Sequence, residues 1–530
     1  MDFKNFNLPE ITPILLLLWG VCIFVVGYFY RHAPKKNRVG FLTAFAVIST
    51  LFFFVWLYFC YQNRAPFNPT RIAIFPFITQ TPESDSISWQ SIALSEISAN
   101  YLNQVNPEEL LPYQIEWIFT AANVDSLKSS AYVLDFSKRI GLDYVVLGKF
   151  LNKSPELVLD FAIYKTENKE LLLSETVTLK SQKLHAFSEY LDKAFLYKVL
   201  DQANKVHFKN SWHSRSQPRN YFKARLFYLT GEQEIACRFA ESAVKEDSTC
   251  TQCLNLLAEL YLNRGFQRKS RDGSPLYDFK LAKALLLKAL TIEKNQSTSL
   301  RLLAELYLIN KKWNQAEIYL QDALKVNPLD PRIYFDFTQL HPTRYKKLGF
   351  KNEKELLNRA IFINPCYFEA RFTLADHYLL KSRPDLAVKA AKEVLHINPE
   401  SVDGLMALGK YYMAQNDMLN VLQTYDKVIK IDPDNADAYY NLGIVYYHSK
   451  DYDTAIKFFE RAIELADHLD SRLYLAYIYE LRGEMDKAIE YLRARIRKRR
   501  NEEDRFAEEA RKHLFQIMSQ RGVIDSILSK

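Results

Sequence analysis

Pro365, Pro399 and Pro433 follow one another at intervals of 34 residues, and Leu256-Leu-Ala-Glu-Leu-Tyr-Leu262 recurs unchanged at Leu302–Leu308. A period of this length holds two short helices and their turns. Such a hairpin cannot cover its own apolar face, so neighbouring copies must stack and close one another's cores. The best-formed copy begins at Ala436. It places Tyr439, Leu442, Gly443 and Tyr446 on a first helix and Ala455, Phe459 and Ala462 on a second.

The pattern has a steric logic. Aligned on that copy, the eighth position is Ala224, Ala258, Ala304, Ala375, Gly409, Gly443 and Ala476. Three residues on stand Phe227, Tyr261, Tyr307, Tyr378, Tyr412, Tyr446 and Tyr479, read as the large partners of those small residues. The twentieth position is Ala236, Ala282, Ala316, Ala387, Val421, Ala455 and Ala488. Small residues are needed where antiparallel helices approach closely. Proline ends several second helices, because it lacks an N–H and clashes with the preceding turn. On these positions the segment is identified as a member of the tetratricopeptide repeat (TPR) family, with about eight units over 217–500. An insertion over 264–279, including the turn-forming Arg271-Asp-Gly-Ser-Pro275, interrupts the second unit. The fourth is degenerate, with an insertion near His341-Pro342. A charged amphipathic helix within 501–530, carrying Phe506, Leu514, Phe515 and Ile517, is expected to cap the stack.

The N-terminal segments obey different constraints. Residues 11–30 and 39–63 contain no charged side chain, and each run is long enough to cross a hydrocarbon core as a helix, which takes about 20 residues. The first lacks the positive flank and small-residue exit of a cleaved signal peptide. The 31–38 loop carries Arg31, Lys35, Lys36 and Arg38, which puts it in the cytoplasm and both termini on the other face. The expected location is therefore integral to the membrane, as in a bacterial inner membrane with a periplasmic body. A cytoplasmic body is the alternative.

Between anchor and repeats, 71–204 reads as β-α-β-α-β-β-β-α, a small α/β layer with a mixed sheet. Its second strand is placed at Gln114–Phe119 and its last helix at 185–201. Ile72-Ala-Ile-Phe-Pro-Phe77, the helix after it and Ile140-Gly-Leu-Asp-Tyr-Val-Val-Leu-Gly148 resemble the TolB N-terminal domain family. That resemblance implies a binding or regulatory module without catalytic residues. The expected fold class is thus mainly α: a TPR α-solenoid preceded by two transmembrane helices and a small α/β domain.

Function follows from what the pattern offers. Glycine is scarce, at 14 residues, and no Walker A, GxGxxG, HExxH or GxSxG motif occurs. No enzyme activity and no cofactor is expected. A net charge of +8, from 70 basic and 62 acidic residues, is too mild for a dedicated nucleic-acid binder. The basic run Arg493–Arg500 is followed at once by Glu502, Glu503 and Asp504 and reads as a solvated, locally neutralised capping region. Cys250 and Cys253 form a lone CxxC with no second ligand pair, so no metal site is expected. Two buried thiols at a repeat boundary is the ordinary reading of that pair, and a disulfide or redox pair is the other.

In TPR proteins the usual role is protein binding along a concave face lined by the first helices. Here that face is expected to present Phe372, Leu379, Met406, Met413, Tyr440, Ile444, Tyr447 and Tyr477, with Asp376, Lys410 and Asn441 as polar handles. The same residues could instead touch one another inside a tight superhelix. The reading that results is a membrane-anchored scaffold that binds other proteins through the repeats and lipid through 11–63. The alternative is a regulatory protein whose α/β domain senses a ligand or partner and relays it through the array.

Overall fold

The computed structural model describes residues 69–80, 86–105, 110–122, 124–153, 155–180, parts of 184–191, and 218–520 except 271–273, 348 and 499–503. The two apolar runs and the basic loop between them lie outside these residues. Among the described residues no helix is long and apolar enough to cross a membrane. The chain divides into two compact units, Met1–Thr70 with Asn106–Leu111 and Arg71–Val105 with Pro112–Lys530, and nearly all described residues belong to the second.

The α/β portion contains β1 (Thr70–Ile74), β2 (Ile78–Thr79), β3 (Ser86–Ile87), α1 (Trp89–Val105), β4 (Leu110–Pro112), α2 (Ile115–Ala121), α3 (Ser130–Arg139), β5 (Tyr144–Lys153), β6 (Glu156–Lys165) and β7 (Glu170–Lys180). β5 is the organising strand. It pairs parallel with β1 through Ile72–Tyr144 and with β2 through Ile78–Lys149. It also pairs antiparallel with β6, which continues into β7. Pro76, which has no N–H to give a ladder, separates β1 from β2. The core beneath the helices holds Ile72, Phe75, Phe77, Val145, Val146 and Phe161.

One expectation fails here. Residues 115–121 form α2, and the strand before it is three residues long. Ile115, Trp117, Ile118, Phe119 and Ala121 are all buried, so the open face is only the narrow stripe of Glu116 and Thr120, and the branched and aromatic residues imitate a strand. Most of the expected helix at 185–201 lies outside the described residues.

From Arg219 the chain is helical: α4 (Arg219–Leu229), α5 (Gln233–Glu246), α6 (Thr251–Ser270), α7 (Leu276–Ile292), α8 (Ser297–Ile309), α9 (Trp313–Val326), α10 (Pro331–Thr338), α11 (Pro342–Lys346), α12 (Glu353–Ile363), α13 (Phe368–Leu380), α14 (Pro384–Ile397), α15 (Val402–Ala414), α16 (Met418–Ile431), α17 (Ala436–His448), α18 (Tyr452–Ala466), α19 (Leu469–Leu481), α20 (Met485–Arg497) and α21 (Arg505–Gln520). These pack as successive hairpins, and each second helix also packs on the next first helix. The insertion of the second unit lengthens α6, whose Arg264 and Arg268 both pair with the buried Asp278 of α7.

Packing inside each hairpin differs from the sequence reading. The small eighth residue is not met by the ring three positions on. A Cβ on Gly409 would lie 2.5 Å from the ring of Tyr425, and one on Gly443 would lie 2.6 Å from the ring of Phe459. The position-eleven ring instead stacks on the residue twelve further along, in the antiparallel helix. Phe227–Phe239, Tyr307–Tyr319, Tyr446–Phe458 and Tyr479–Tyr491 have centroids 5.5, 5.5, 5.3 and 5.7 Å apart and interplanar angles of 3, 9, 7 and 4°. A ring points back toward the N-terminal side of its own helix. That lean does not bring it against the small residue three positions earlier, because its face is taken up by the stacked ring of the antiparallel helix.

The turns repeat as well. Gly231, Lys311, Ser382, Asn416, Lys450 and Gly483 all have positive φ just after a first helix. The next residue's N–H donates to the carbonyl of the position-eleven ring, as in Lys312 to Tyr307 (2.8 Å) and Asp451 to Tyr446 (3.0 Å), closing a Schellman-type end. After second helices the Asn side chain before proline accepts the N–H two residues on, as in Asn364 to Cys366 (2.9 Å) and Asn398 to Glu400 (3.2 Å).

The C-terminal end corrects two readings. Ala507, Ala510 and Ile517 of α21 are buried, whereas Phe506 and Phe515 are exposed. Arg495, in the supposedly solvated basic run, is fully buried and pairs with Asp470 (3.0 Å) and Asp504 (2.8 Å). The acidic residue that follows the run does neutralise it, but inside the packed end.

Candidate functional site

The first helices of neighbouring hairpins lie side by side, α6 by α8, α13 by α15 and α17 by α19, so their outward residues share one face. On that face Phe372, Asp376, Leu379, Met406, Met413, Tyr440, Asn441, Ile444, Tyr447 and Tyr477 are half-buried and Lys410 is exposed. Several touch one another. Tyr440 and Tyr447 both pack edge-on to Tyr474, at 5.9 and 5.3 Å, and Tyr474 reaches Tyr477 at 6.2 Å. Tyr474 was not singled out from the sequence, because it sits one residue off the expected groove positions. Its bulk beside Tyr477 was the only signal. Leu379, Met406 and Met413 lean on the core beneath them. The polar handles are engaged too: Lys410 donates to Asp376 at 2.8 Å, and the Tyr411 hydroxyl shares the same carboxylate oxygen at 3.1 Å. Tyr477 donates to Glu509 of α21 at 2.7 Å, which ties the end of the row to the terminal helix.

The other half of the array is where the α/β portion docks. Arg225 of α4, with only 6% of its surface exposed, pairs with Glu96 of α1 (3.1 Å) and Glu116 of α2 (2.6 Å). Tyr221 also donates to Glu96, at 2.5 Å. Glu116 further faces Arg332 of α10 at 3.6 Å. Arg71 donates to the Phe362 carbonyl at 3.2 Å, and Arg139 donates to that of His396 at 3.5 Å. Burial would raise the Glu116 carboxyl, but the Arg225 and Arg332 guanidiniums outweigh that and hold it at about 2. None of these interdomain residues was predicted to be functional. Glu116 was hidden in a supposed strand, and the arginines lie on repeats chosen for their apolar pattern.

Beside this junction is a polar cavity of about 190 Å³ between α6, α8, α10 and α13. Arg301 and Arg332 enter it among Glu259, Glu305, Asp336 and Glu369, with Phe335 and Tyr367 as an aromatic wall. Burial pushes the Asp336 carboxyl well up, only partly offset by Arg301, and burial likewise raises those of Glu259 and Glu369. One of its walls, α10, belongs to the degenerate fourth unit, where the repeat pattern breaks.

At the start of α6, Cys250 and Cys253 are joined in a disulfide, with Cα atoms 5.3 Å apart, which corrects the reading of two free thiols. A three-residue offset in a helical first turn brings the two sulfurs together, and the Cys253 N–H donates to Cys250 Sγ at 3.1 Å. Among the described residues no group of metal-ligating side chains stands together.

Family models for the tetratricopeptide repeat match residues 372–436, 436–468 and 475–506. No curated protein matches the chain. Solved structures similar to it include a crystal structure of MamA, at 22% identity over 32% of this chain and 91% of that one, with a TM-score of 0.26. A monomeric IFIT1 mutant with Gppp-AAAA matches at 15% identity over 64% and 82%, with a TM-score of 0.41. Yeast Tom70 matches at 15% identity over 64% and 75%, with a TM-score of 0.42. This chain carries tetratricopeptide repeats, matched over residues 372–468 and 475–506.

Proposed function

We propose that this protein is a membrane-anchored, non-catalytic scaffold whose repeats bind segments of other proteins along α13, α15, α17 and α19. The observation that carries the reading is the row of half-buried rings and thioethers from Phe372 to Tyr477 on one face. Apolar positions of this kind, with one carboxylate–ammonium pair among them, suit a helix or extended segment presented by a partner. The 11–30 and 39–63 runs supply the anchor. The Cys250–Cys253 disulfide supports a body in an oxidising compartment, the exoplasmic side of the membrane. Crosslinking mass spectrometry in native membranes tests this reading. Partner crosslinks are expected on 372–477 and should be lost in a Tyr440→Ala/Tyr447→Ala variant.

One observation favours the regulatory alternative, in which the TolB-like α/β domain relays a signal. Its Glu96 and Glu116 are locked to Arg225 and Arg332 of the array, so a change in that domain has a direct route into the repeats.

A further inference from the structure

The cavity between α6, α8, α10 and α13 contains more carboxyl groups than its cations can pair. Four carboxylates line it, Glu259, Glu305, Asp336 and Glu369, against two guanidiniums, Arg301 and Arg332. Both arginines are already shared. Arg301 faces Glu305 at 3.1 Å and Asp330 at 3.7 Å. Arg332 faces Glu259 at 3.3 Å, Glu116 at 3.6 Å and Asp330 at 3.6 Å. Asp336 is 5% exposed, yet its buried Oδ2 has no hydrogen-bond donor, and its nearest cation is Arg301 Nη1 at 3.9 Å. Among the described residues no cation lies within 4.0 Å of Glu369. A buried carboxylate without a donor is costly to fold and is retained where something supplies the missing charge.

The walls define what that something is. Phe335 and Tyr367, with centroids 5.4 Å apart, place aromatic faces beside the acids. Carboxylates together with aromatic faces are the surroundings that bind ammonium and guanidinium groups. At about 190 Å³ the cavity has room for such a head group, where one water takes about 30 Å³. Inorganic anions are disfavoured by the acid excess.

We propose that this cavity is a recognition pocket for an aliphatic cation, the guanidinium or ammonium head group of a basic side chain on a bound partner segment. Asp336 and Glu369 act as its counter-ions, and Phe335 and Tyr367 as its walls. The proposal rests on the scaffold reading and gives the partner a chemical requirement, a basic residue seated near the α/β junction.

The test uses the full-length protein in detergent and three fluorescent probes: a Gly/Ser pentapeptide with blocked termini whose only charge is a central arginine, the same peptide with citrulline, and arginine amide. The arginine peptide should bind and the citrulline peptide should bind at least tenfold more weakly. Asp336→Asn and Glu369→Gln should each lower arginine-peptide affinity at least fivefold. Glu369 is exposed at the rim, so its variant keeps the fold whatever happens at Asp336. Tighter binding of the peptide than of arginine amide identifies a side chain on a segment as the ligand, and equal binding, which identifies a free cation, overturns the assignment to a partner segment. Equal binding of the citrulline and arginine peptides, or affinity unchanged in both variants, overturns it. If crosslinked partners on 372–477 persist while the arginine probes fail, the pocket is wrong and the scaffold reading stands. If the probes bind and those crosslinks are missing, the reverse holds.

Discussion

The α-carbon of Gly443 faces the ring of Phe459 so closely that an added Cβ would stand 2.6 Å from Cε1. Gly409 and Tyr425 repeat the relationship one unit earlier. Where the eighth position is alanine, as in Ala304, Ala375 and Ala476, the residue sixteen further on is Leu320, Ala391 or Leu492. Glycine thus accompanies a ring, and alanine an aliphatic residue.

Gly443→Ala should therefore destabilise the protein despite alanine's better helix propensity. The propensity gain is about 1 kcal/mol and overpacking a fixed ring costs about 1–3 kcal/mol. Adding Phe459→Leu should recover much of the loss, since the pair then copies Ala476 and Leu492. Urea denaturation of the three variants measures the coupling, and strict additivity would count against this packing.

Lys450 sits at φ 64° in a turn where other units carry glycine, Gly231 and Gly483. Lys450→Gly should relieve a left-handed backbone penalty of about 1 kcal/mol and raise the melting temperature. A drop in melting temperature would mean that the lysine side chain contributes more than the turn costs.

Arg495 is fully buried between Asp470 and Asp504. Arg495→Met removes the guanidinium that Asp470 and Asp504 share and should cost about 3–5 kcal/mol. The loss should show as faster hydrogen exchange in α19–α21, with α13–α15 unaffected.

The Glu116 carboxyl is held at about 2, below its unfolded value of about 4.3. Its contribution is then fully present above about pH 4.5 and fades as pH falls toward 2. Glu116→Gln should cost about 3 kcal/mol near neutral pH, and its deficit against the wild type should shrink through that acid window. A deficit that does not change with pH would contradict the Arg225 and Arg332 pairing.

Cys366 is buried, and burial pushes its thiol up to about 12. The Cys237 thiol is raised by burial too. Native alkylation at pH 8 should leave both unmodified, and Cys250 and Cys253 should label only after reduction. Peptide mass spectrometry reads all four positions.

The repeat was legible because its steric rule recurs every 34 residues: the small residues at Ala375, Gly409 and Gly443, and at Ala387, Val421 and Ala455, are all buried. What filled the gaps was not legible, because a ring three residues on and a ring sixteen on both recur with the repeat. Helix α2 reads as a strand because only Glu116 and Thr120 mark its open face, too narrow a stripe in seven residues to show a helical period. The disulfide was not legible because a lone CxxC has the same sequence whether its two thiols are free or joined. The acid-rich cavity left no trace because its carboxylates come from separate units, Glu259, Glu305, Asp336 and Glu369, and meet only after stacking. The groove residues were named from position alone. Their mutual contacts, through the unforeseen Tyr474, depend on how the tyrosines of α17 and α19 interleave.

The central claim is that partners bind the repeat face from Phe372 to Tyr477. Crosslinking mass spectrometry in native membranes, comparing the wild type with Tyr440→Ala/Tyr447→Ala, tests it most directly. The account predicts partner crosslinks on α13, α15, α17 and α19 that fall at least tenfold in the variant. Crosslinks confined to the α/β portion, or equal in both proteins, would contradict it.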